Sequence, residues 1–477
     1  MGKTRKKTTP KQGRRRSKTK MTDFSSGEVV AVTSTKGVET PHKEPRLTQL
    51  CMFEAGEPID LKLARTAEYV KDPREYLVRT IGEETIKARG DVLCIPNKPI
   101  EGDFYGTSVS KAHFETHIAK LLGKEHGLFF ITGVQAQLAA AKAHCEKANK
   151  NIVGWHTSCH LEVAENRAYK ELYHLDRVLL GSIPKELPTV EEIQKVLNLP
   201  EAERPAVMIL EIPNRVCACE TYTFEQLQQI SSACRSASVA LHMDGARLWE
   251  IEPYYQATAG KSFADLGALF DSVYVSMYKG LGGATGAFLL SNYPDFIDDA
   301  KIWQRRAGGN AYSLSYYWID CQRAFNEHIG TFASRRDKMI AVSKKVLKAT
   351  SAYKAKDGDP VVQFRPSVPN CCSTHIIFHG FTNDEIIAAR NKVQKEKYVQ
   401  AFGFLRPKMS NKRLSERYKV LAAPKFSVSD QAGGIATATD LTHWTECTII
   451  PVTEKLEDGV FVDAYVELCK ALFEAKH

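Results

Sequence analysis

Apolar and polar positions alternate in blocks between about residue 126 and residue 280. Short runs rich in branched and aromatic side chains predict buried strands at 126–133, 151–156, 177–182, 206–213, 239–245 and 271–280. Between them, apolar residues at helical spacing predict helices at 134–148, 160–172, 189–199 and 223–237. Strands that alternate with helices of this length favour βαβ units, so we predict an α/β fold around a mostly parallel sheet.

The same patterning divides the rest of the chain. Helices are predicted near 60–71, 73–88 and 110–125, and a long helical region covers 313–350. Beyond it, "STHIIFHGF" (373–381) and "HWTECTIIPV" (443–452) predict strands of a small α+β domain. We therefore predict a polar tail and linker at 1–46, a large domain with an N-terminal arm at 47–325, and a smaller C-terminal α+β domain at 326–477.

The basic charge of the chain is concentrated at its beginning. Residues 1–20 hold ten Lys or Arg and no acid, whereas the remaining residues carry 55 basic and 56 acidic side chains. We expect the tail to be disordered, either as a solvated extension, as a nuclear-localisation or polyanion-binding patch, or as a transit peptide. Nucleic-acid binding is not expected, except through residues 1–20.

Membrane and metal sites are not expected. The chain has no run of 18 apolar residues. Its twelve cysteines lack zinc-ligand spacing, which favours reduced thiols in a cytoplasmic protein, although nuclear or organellar targeting by the tail stays open.

Four features lie where predicted strands end, and ligands of such sheets gather there. The first strand runs through Thr132, Gly133 and Val134 into a helix, whose free N–H groups suit a phosphate. His160 follows the next strand, and Asp244 ends the apolar run "VALHMD". The fourth feature is a strand that ends at Ser276, with Lys279 among glycines just after it. Each feature alone has an ordinary structural explanation.

Together these features fit pyridoxal 5'-phosphate (PLP). This cofactor needs an amine for its aldehyde, an anion site for its phosphate, a ring against its face and a carboxylate at its pyridine nitrogen. Lys279, the 132–134 turn, His160 and Asp244 supply these roles in turn. Arg247, three residues after Asp244, is a candidate for the substrate carboxylate.

Three stretches resemble the threonine aldolase / β-eliminating lyase family of PLP enzymes, which has the aspartate-aminotransferase fold (fold type I). They are "GDFYGTSVSKAHFETHIAKLLGKE" (102–125), "LHMDGARLWE" (241–250) and "VSMYKGLGG" (275–283), and the similarity runs from about Asp103 to about Arg306. The resemblance implies a Schiff base at Lys279, ring stacking by His160 beside Glu165, and cofactor contacts by Asp244, Arg247 and Ser276. The C-terminal arginine that clamps the substrate carboxylate has no clear counterpart, so this contact falls to Arg247, Arg215 or another residue.

The resemblance implies a retro-aldol lyase that converts L-threonine or L-allo-threonine to glycine and acetaldehyde, with Lys279, His160, Asp244 and Arg247 as catalytic residues. A β-elimination, racemisation or transamination of another amino acid is the alternative. A non-catalytic relative that binds partners through its basic tail is a third possibility. Family analogy implies a homodimer or homotetramer, in which Tyr105 either packs locally or reaches a neighbouring subunit.

Overall fold

The computed structural model describes residues 47–51, 58–181, 185–407 and 441–475. The predicted tail and linker at 1–46 lie outside the described residues. In the part that is described, no helix is both long and apolar enough to cross a membrane.

The described strands number thirteen. They are β1 (Thr48–Gln49), β2 (His126–Phe130), β3 (Ile152–His156), β4 (Asp176–Leu180), β5 (Val207–Glu211), β6 (Ala240–Gly245), β7 (Ser272–Ser276), β8 (Ala287–Ser291), β9 (Val362–Arg365), β10 (Ser373–His379), β11 (Val399–Gln400), β12 (Arg406–Pro407) and β13 (Thr442–Thr448).

The described helices number seventeen. They are α1 (Ile59–Lys71), α2 (Pro73–Ile81), α3 (Glu83–Arg89), α4 (Val109–Leu121), α5 (Gly133–Lys147), α6 (His160–Val163), α7 (Ala168–Glu171), α8 (Val190–Leu197), α9 (Phe224–Ser236), α10 (Leu248–Ala259), α11 (Phe263–Gly267), α12 (Pro294–Arg306), α13 (Ser315–His328), α14 (Phe332–Ala349), α15 (Asn383–Lys397), α16 (Pro451–Glu454) and α17 (Asp458–Glu474).

A seven-stranded sheet forms the centre, in the order β2-β8-β7-β6-β5-β3-β4. Strand β8 runs antiparallel to both of its neighbours, β2 and β7, and the other neighbouring pairs of this sheet are parallel. Every residue of β7 and β8 is buried, as expected for strands covered by helices on both faces. The predicted α/β fold with a mostly parallel sheet is confirmed.

A second, antiparallel sheet lies in the C-terminal part, in the order β12-β13-β10-β9. Helix α17 packs against α14 and α15 beside it. This is the smaller α+β part that the sequence predicted. The exact division at residue 326 stays a prediction.

Three predicted helices are interrupted, each at residues with a left-handed backbone. The helix expected over 160–172 is two single turns, α6 and α7, because Asn166 and Arg167 have φ of 49° and 60°. Gly82 and Gly330, both with φ of 84°, separate α2 from α3 and α13 from α14. Single-sequence periodicity overlooks such breaks because the apolar spacing continues across them.

The parallel strands bring chemically active residues to one edge of the sheet. Glu211, the last residue of β5, pairs in register with Asp244 of β6, and Asp244 pairs with Tyr274 of β7. Lys279 follows β7 by three residues. The edge therefore presents two carboxylates, a phenol and an amine on neighbouring strand ends.

Candidate active site

A cavity of about 460 Å³ opens at the carboxyl ends of the central strands. Its walls include five of the eight residues that the sequence singled out, namely Val134, His160, Asp244, Arg247 and Lys279. The other three, Thr132, Gly133 and Ser276, do not line it. A cavity of this size, partly apolar and with converging polar groups, is typical of a small-molecule site.

Asp244 is a deeply buried acid of the cavity wall, with 1% of its surface exposed. Its Oδ1 accepts a hydrogen bond from the backbone N–H of Ala246 at 3.1 Å. Burial raises the pKa of Asp244 above its ordinary value, and the nearby Lys279 opposes that effect. An ionised carboxylate here is costly unless a cation from elsewhere meets it.

Glu211 stands beside Asp244 at the end of the adjacent strand. Its Oε1 accepts a hydrogen bond from the Arg215 N–H at 3.1 Å. Burial and the negative charge of Asp244 raise the pKa of Glu211. Sequence analysis missed this residue, although the strand-end rule that selected Asp244 applies equally to the end of "AVMILE".

Lys279 occupies a turn that depends on glycine. A Cβ on Gly280 would lie 2.8 Å from Phe332 and 2.9 Å from Glu250, and Gly282 has φ of 76°. Burial lowers the pKa of Lys279, and the positive charge of Arg247 lowers it further, while Asp244 and Glu211 act in the opposite direction. A lowered pKa increases the fraction of neutral, nucleophilic amine.

Hydrogen bonds hold Arg247 in place at the cavity wall. Its Nη1 donates to both oxygens of Glu250, at 3.1 and 3.0 Å, and lies 3.4 Å from the Ser373 hydroxyl. Its Nε is buried without a hydrogen-bond partner in the described part of the chain. The guanidinium is therefore fixed in orientation and keeps donor capacity for a ligand.

His160 lies at the start of α6 and forms an ion pair with Glu165, with 2.6 Å between Nε2 and Oε1. The family resemblance had also placed these two residues side by side. The break in the predicted 160–172 helix makes the contact possible, because Glu165 lies in the irregular turn between α6 and α7. The imidazole is 44% exposed and faces the cavity.

The turn at 132–134 begins helix α5. The Thr132 hydroxyl accepts from the Gln135 N–H at 3.2 Å, and its carbonyl accepts from the Ala136 N–H at 3.2 Å. The N–H groups of Gly133 and Val134, which precede these, remain available for an anion. Gly133 itself is required by packing, because a Cβ there would lie 2.0 Å from the Tyr274 hydroxyl.

Ser276 is fully buried at the end of β7. Its carbonyl accepts from the Trp249 indole N–H at 2.8 Å, so its backbone anchors the strand end to α10. It lies near the cavity in sequence, three residues before Lys279, but does not contribute to its walls.

A further part of the cavity wall was not foreseen, except for Arg215. It is formed by Lys185, Arg215, Arg406, Trp444 and Glu446, a set that we call the distal wall. Arg215 Nη1 donates to Glu446 at 2.7 Å, so this arginine is held by a carboxylate from the C-terminal sheet. Glu446 lies 231 positions from Arg215 in the sequence, and no local motif signals this pair.

Comparisons with known proteins bear on this site. A family model described as Beta-eliminating lyase matches residues 97–356, which extends past the segment whose motifs resembled that family. An uncharacterized protein of Caenorhabditis elegans is 25% identical over 260 residues, which cover 52% of this chain and 61% of the relative. The matched part thus spans less than two thirds of that relative's length.

Two further relatives carry functional names. The low specificity L-threonine aldolase of Escherichia coli (strain K12) is 27% identical over 236 residues, covering 47% of this chain and 68% of that protein. The crystal structure of a proposed L-allo-threonine aldolase from Listeria monocytogenes EGD-E has a TM-score of 0.68 and 28% identity, covering 89% of this chain and 96% of the other.

Proposed function

Because the chain belongs to the β-eliminating lyase family, we propose that it cleaves β-hydroxy-α-amino acids, converting L-threonine or L-allo-threonine to glycine and acetaldehyde. The chain has the fold of PLP-dependent fold type I enzymes, its cofactor is pyridoxal 5'-phosphate, and it is a PLP-dependent lyase. The retro-aldol reaction is supported by the Escherichia coli and Listeria relatives, whose names are those of threonine aldolases.

The residues of the cavity fit this cofactor. Asp244 is buried and forms no ion pair with a side chain in the described part, so a pyridinium N–H⁺ is the kind of partner that it lacks. Lys279 lines the same cavity with its pKa lowered by burial. This meeting of a buried acid and an amine of lowered pKa in one cavity is the observation on which the proposal rests.

The other residues of the site suit the phosphate and the ring of the cofactor. The Gly133 and Val134 N–H groups at the start of α5 would receive the phosphate. The His160 ring, oriented by Glu165, would lie against the ring face. When bound, PLP supplies an aldehyde that condenses with amines and a ring that takes up the electron pair left at Cα.

The chain's own residues account for orientation and proton handling. Arg247, fixed by Glu250, is the group whose positive charge affects the Lys279 amine most, so it is suited to hold the α-carboxylate next to that amine. The neutral Lys279 Nζ can accept a proton or release its lone pair for bond formation. The reaction also removes the β-hydroxyl proton before the Cα–Cβ bond breaks, and His160 is the candidate proton acceptor, at Nδ1 because its Nε2 contacts the Glu165 carboxylate at 2.6 Å.

Product analysis with a panel of amino acids tests this proposal. The parent enzyme with PLP should release glycine and acetaldehyde from threonine, and Lys279→Ala should abolish that release. Lys261→Ala, on an exposed surface away from the cavity, is the matched control. Release of ammonia and a keto acid would indicate β-elimination. Formation of a D-amino acid would indicate racemisation, and transfer of the amino group would indicate transamination. Equal threonine turnover by Lys279→Ala and the parent would refute the assigned role of this lysine.

Assembly and location are part of the same proposal. The aromatic rings of Phe104, Tyr105 and Tyr312 contact one another at 5.0 to 5.5 Å and are more than half exposed, which supports a subunit interface in a homodimer or homotetramer. Light scattering on the purified protein measures the oligomeric state. Twelve free cysteines, eleven of them buried, support a reducing compartment such as the cytoplasm.

A further inference from the structure

The distal wall collects more positive than negative charge. Glu446, 6% exposed, receives Arg215 at 2.7 Å and also lies 3.6 Å from Arg406. Lys185 adds a third cation, placed with its Nζ 3.6 Å from the centre of the Trp444 ring. Among the residues that the structure describes, three cations therefore lie around Glu446 in this part of the cavity wall.

Lys185 is the cation that this carboxylate does not neutralise. No acidic side chain forms an ion pair with its Nζ in the described ranges, where its close contact is the Trp444 ring. Trp444 is in turn stacked on His375, with ring centres 4.3 Å apart and an angle of 20° between the planes. The ring is thereby fixed and holds the ammonium group at the cavity wall.

The α-carboxylate of an amino acid does not account for Lys185, because that carboxylate is assigned above to Arg247, the cation that acts most strongly on Lys279. We propose that the distal wall binds a second acidic group, carried on the side chain of the substrate, and that Lys185 is the residue that determines this preference. The inference rests on the proposed lyase function and narrows its substrate class to β-hydroxy-α-amino acids with an anionic side chain, such as 3-hydroxyaspartate.

The charges around Lys185 make the contact sensitive to pH. Burial, Arg215 and Arg406 together lower the pKa of Lys185 to about 7, while Cys217 and Glu446 act in the opposite direction. His375 and Arg365 also lie near this group: the pKa of His375 is lowered by burial and by the positive charges of Lys185, Arg215, Arg365 and Arg406. An anion beside Lys185 favours the protonated amine, so binding should weaken as the pH rises above the Lys185 pKa.

Substrate discrimination provides the first test. Threonine, 3-hydroxyasparagine and 3-hydroxyaspartate share the reacting atoms, and only the last has a second carboxylate. We expect the highest kcat/KM for 3-hydroxyaspartate. In Lys185→Met the ratio of its kcat/KM to that of threonine should fall by about 10- to 100-fold, as expected for loss of a charge-assisted hydrogen bond. Lys185→Arg should restore much of the ratio. An equal decline for all three substrates, or an unchanged ratio, would overturn the inference.

Calorimetry with non-reacting acids separates binding from turnover. Succinate should bind the PLP-loaded parent more tightly than butyrate, which has the same number of carbons and one carboxylate. Its affinity should fall between about pH 6 and about pH 9, whereas Lys185→Arg should retain it because arginine stays charged. A succinate affinity that is no greater than that of butyrate, or that falls equally in Lys185→Arg, would contradict the role of Lys185.

The two proposals can fail independently. If no substrate yields glycine but succinate binding depends on Lys185, the lyase reaction is wrong and the second anion subsite stands. If threonine is cleaved and succinate binds no better than butyrate, only the subsite is wrong. Lys261→Met is the control for loss of a lysine outside the cavity. If Lys185→Met does not fold, the succinate affinity of Lys185→Arg and of the parent across the pH range still tests the role of Lys185.

Discussion

Replacing Asp244 by Asn tests the electrostatic basis of the site. The substitution keeps the shape of the side chain and removes its charge, at a position only 1% exposed. If the carboxylate stabilises a protonated ring about 4 Å away, an effective dielectric of about 20 gives about 4 kcal/mol. Loss of that interaction should lower kcat by about 1000-fold, since each 1.36 kcal/mol corresponds to about tenfold in rate.

Asp244→Asn should raise the unfolding temperature of the cofactor-free protein, although it lowers kcat. Burial raises the folded-state pKa of Asp244, so the stability that this group contributes is present below its unfolded-state pKa and is lost as the pH rises through the folded-state pKa. At neutral pH the parent therefore bears the cost of an unmatched acid, and Asp244→Asn does not. We expect a higher melting temperature for the apo variant at neutral pH and a smaller difference at acidic pH.

The assay compares Asp244→Asn with Glu211→Gln, the neighbouring acid on β5. Glu211 accepts a backbone hydrogen bond from Arg215 and lines the same cavity, so its substitution removes the same charge one strand away. Steady-state kinetics with threonine should show the larger loss of kcat for Asp244→Asn. Equal losses, or a variant at position 244 with parental kcat, would refute the reasoning.

Two further predictions concern packing at Gly133 and the buried carboxylate of Asp103. Gly133→Ala should lower the unfolding free energy by about 1–3 kcal/mol by overpacking against Tyr274, whereas Gly459→Ala, with no atom within 4 Å of its added Cβ, should be nearly neutral; denaturant unfolding measures both. Asp103→Asn should weaken the hydrogen bond that the Asp103 carboxylate accepts from the Leu314 N–H at 2.9 Å. Because hydrogen bonds lower the pKa of Asp103 despite its burial, the parent should be more stable than the variant above the unfolded-state pKa, and this difference should disappear as the pH falls through the folded-state pKa. Thermal melts of both proteins across this pH range measure the difference.

Sequence patterning located the part of the site that is built on the parallel sheet. Asp244 and Lys279 are 35 positions apart, yet both follow apolar runs, and parallel strands bring their carboxyl ends to one edge. The same rule applies to Glu211, because this acid ends the apolar run "AVMILE", so the residue type and its position are both visible in the sequence.

The distal wall could not be found in this way. Trp444 and Arg406 lie on antiparallel strands of the C-terminal sheet, and their register determines which side chains face the cavity. Alternation along β13 places Trp444, Glu446 and Thr448 on one face, but the sequence alone does not say what that face meets. Only the folded chain brings Lys185, from the segment after β4, against that face.

Two parts of the cavity wall differ in charge, and this difference constrains what can bind. Glu211 and Asp244 come from the parallel sheet and favour a cation, which a protonated pyridine supplies. Lys185 and Arg406 come from outside that sheet and favour an anion. A neutral side chain such as the methyl group of threonine would leave Lys185 without an anionic partner from the substrate. An acidic side chain would supply that partner and would favour the protonated amine of Lys185. Preference for an acidic side chain and its dependence on pH thus both arise from Lys185, and the Lys185→Arg variant should separate them, because arginine stays charged and preserves the first without the second.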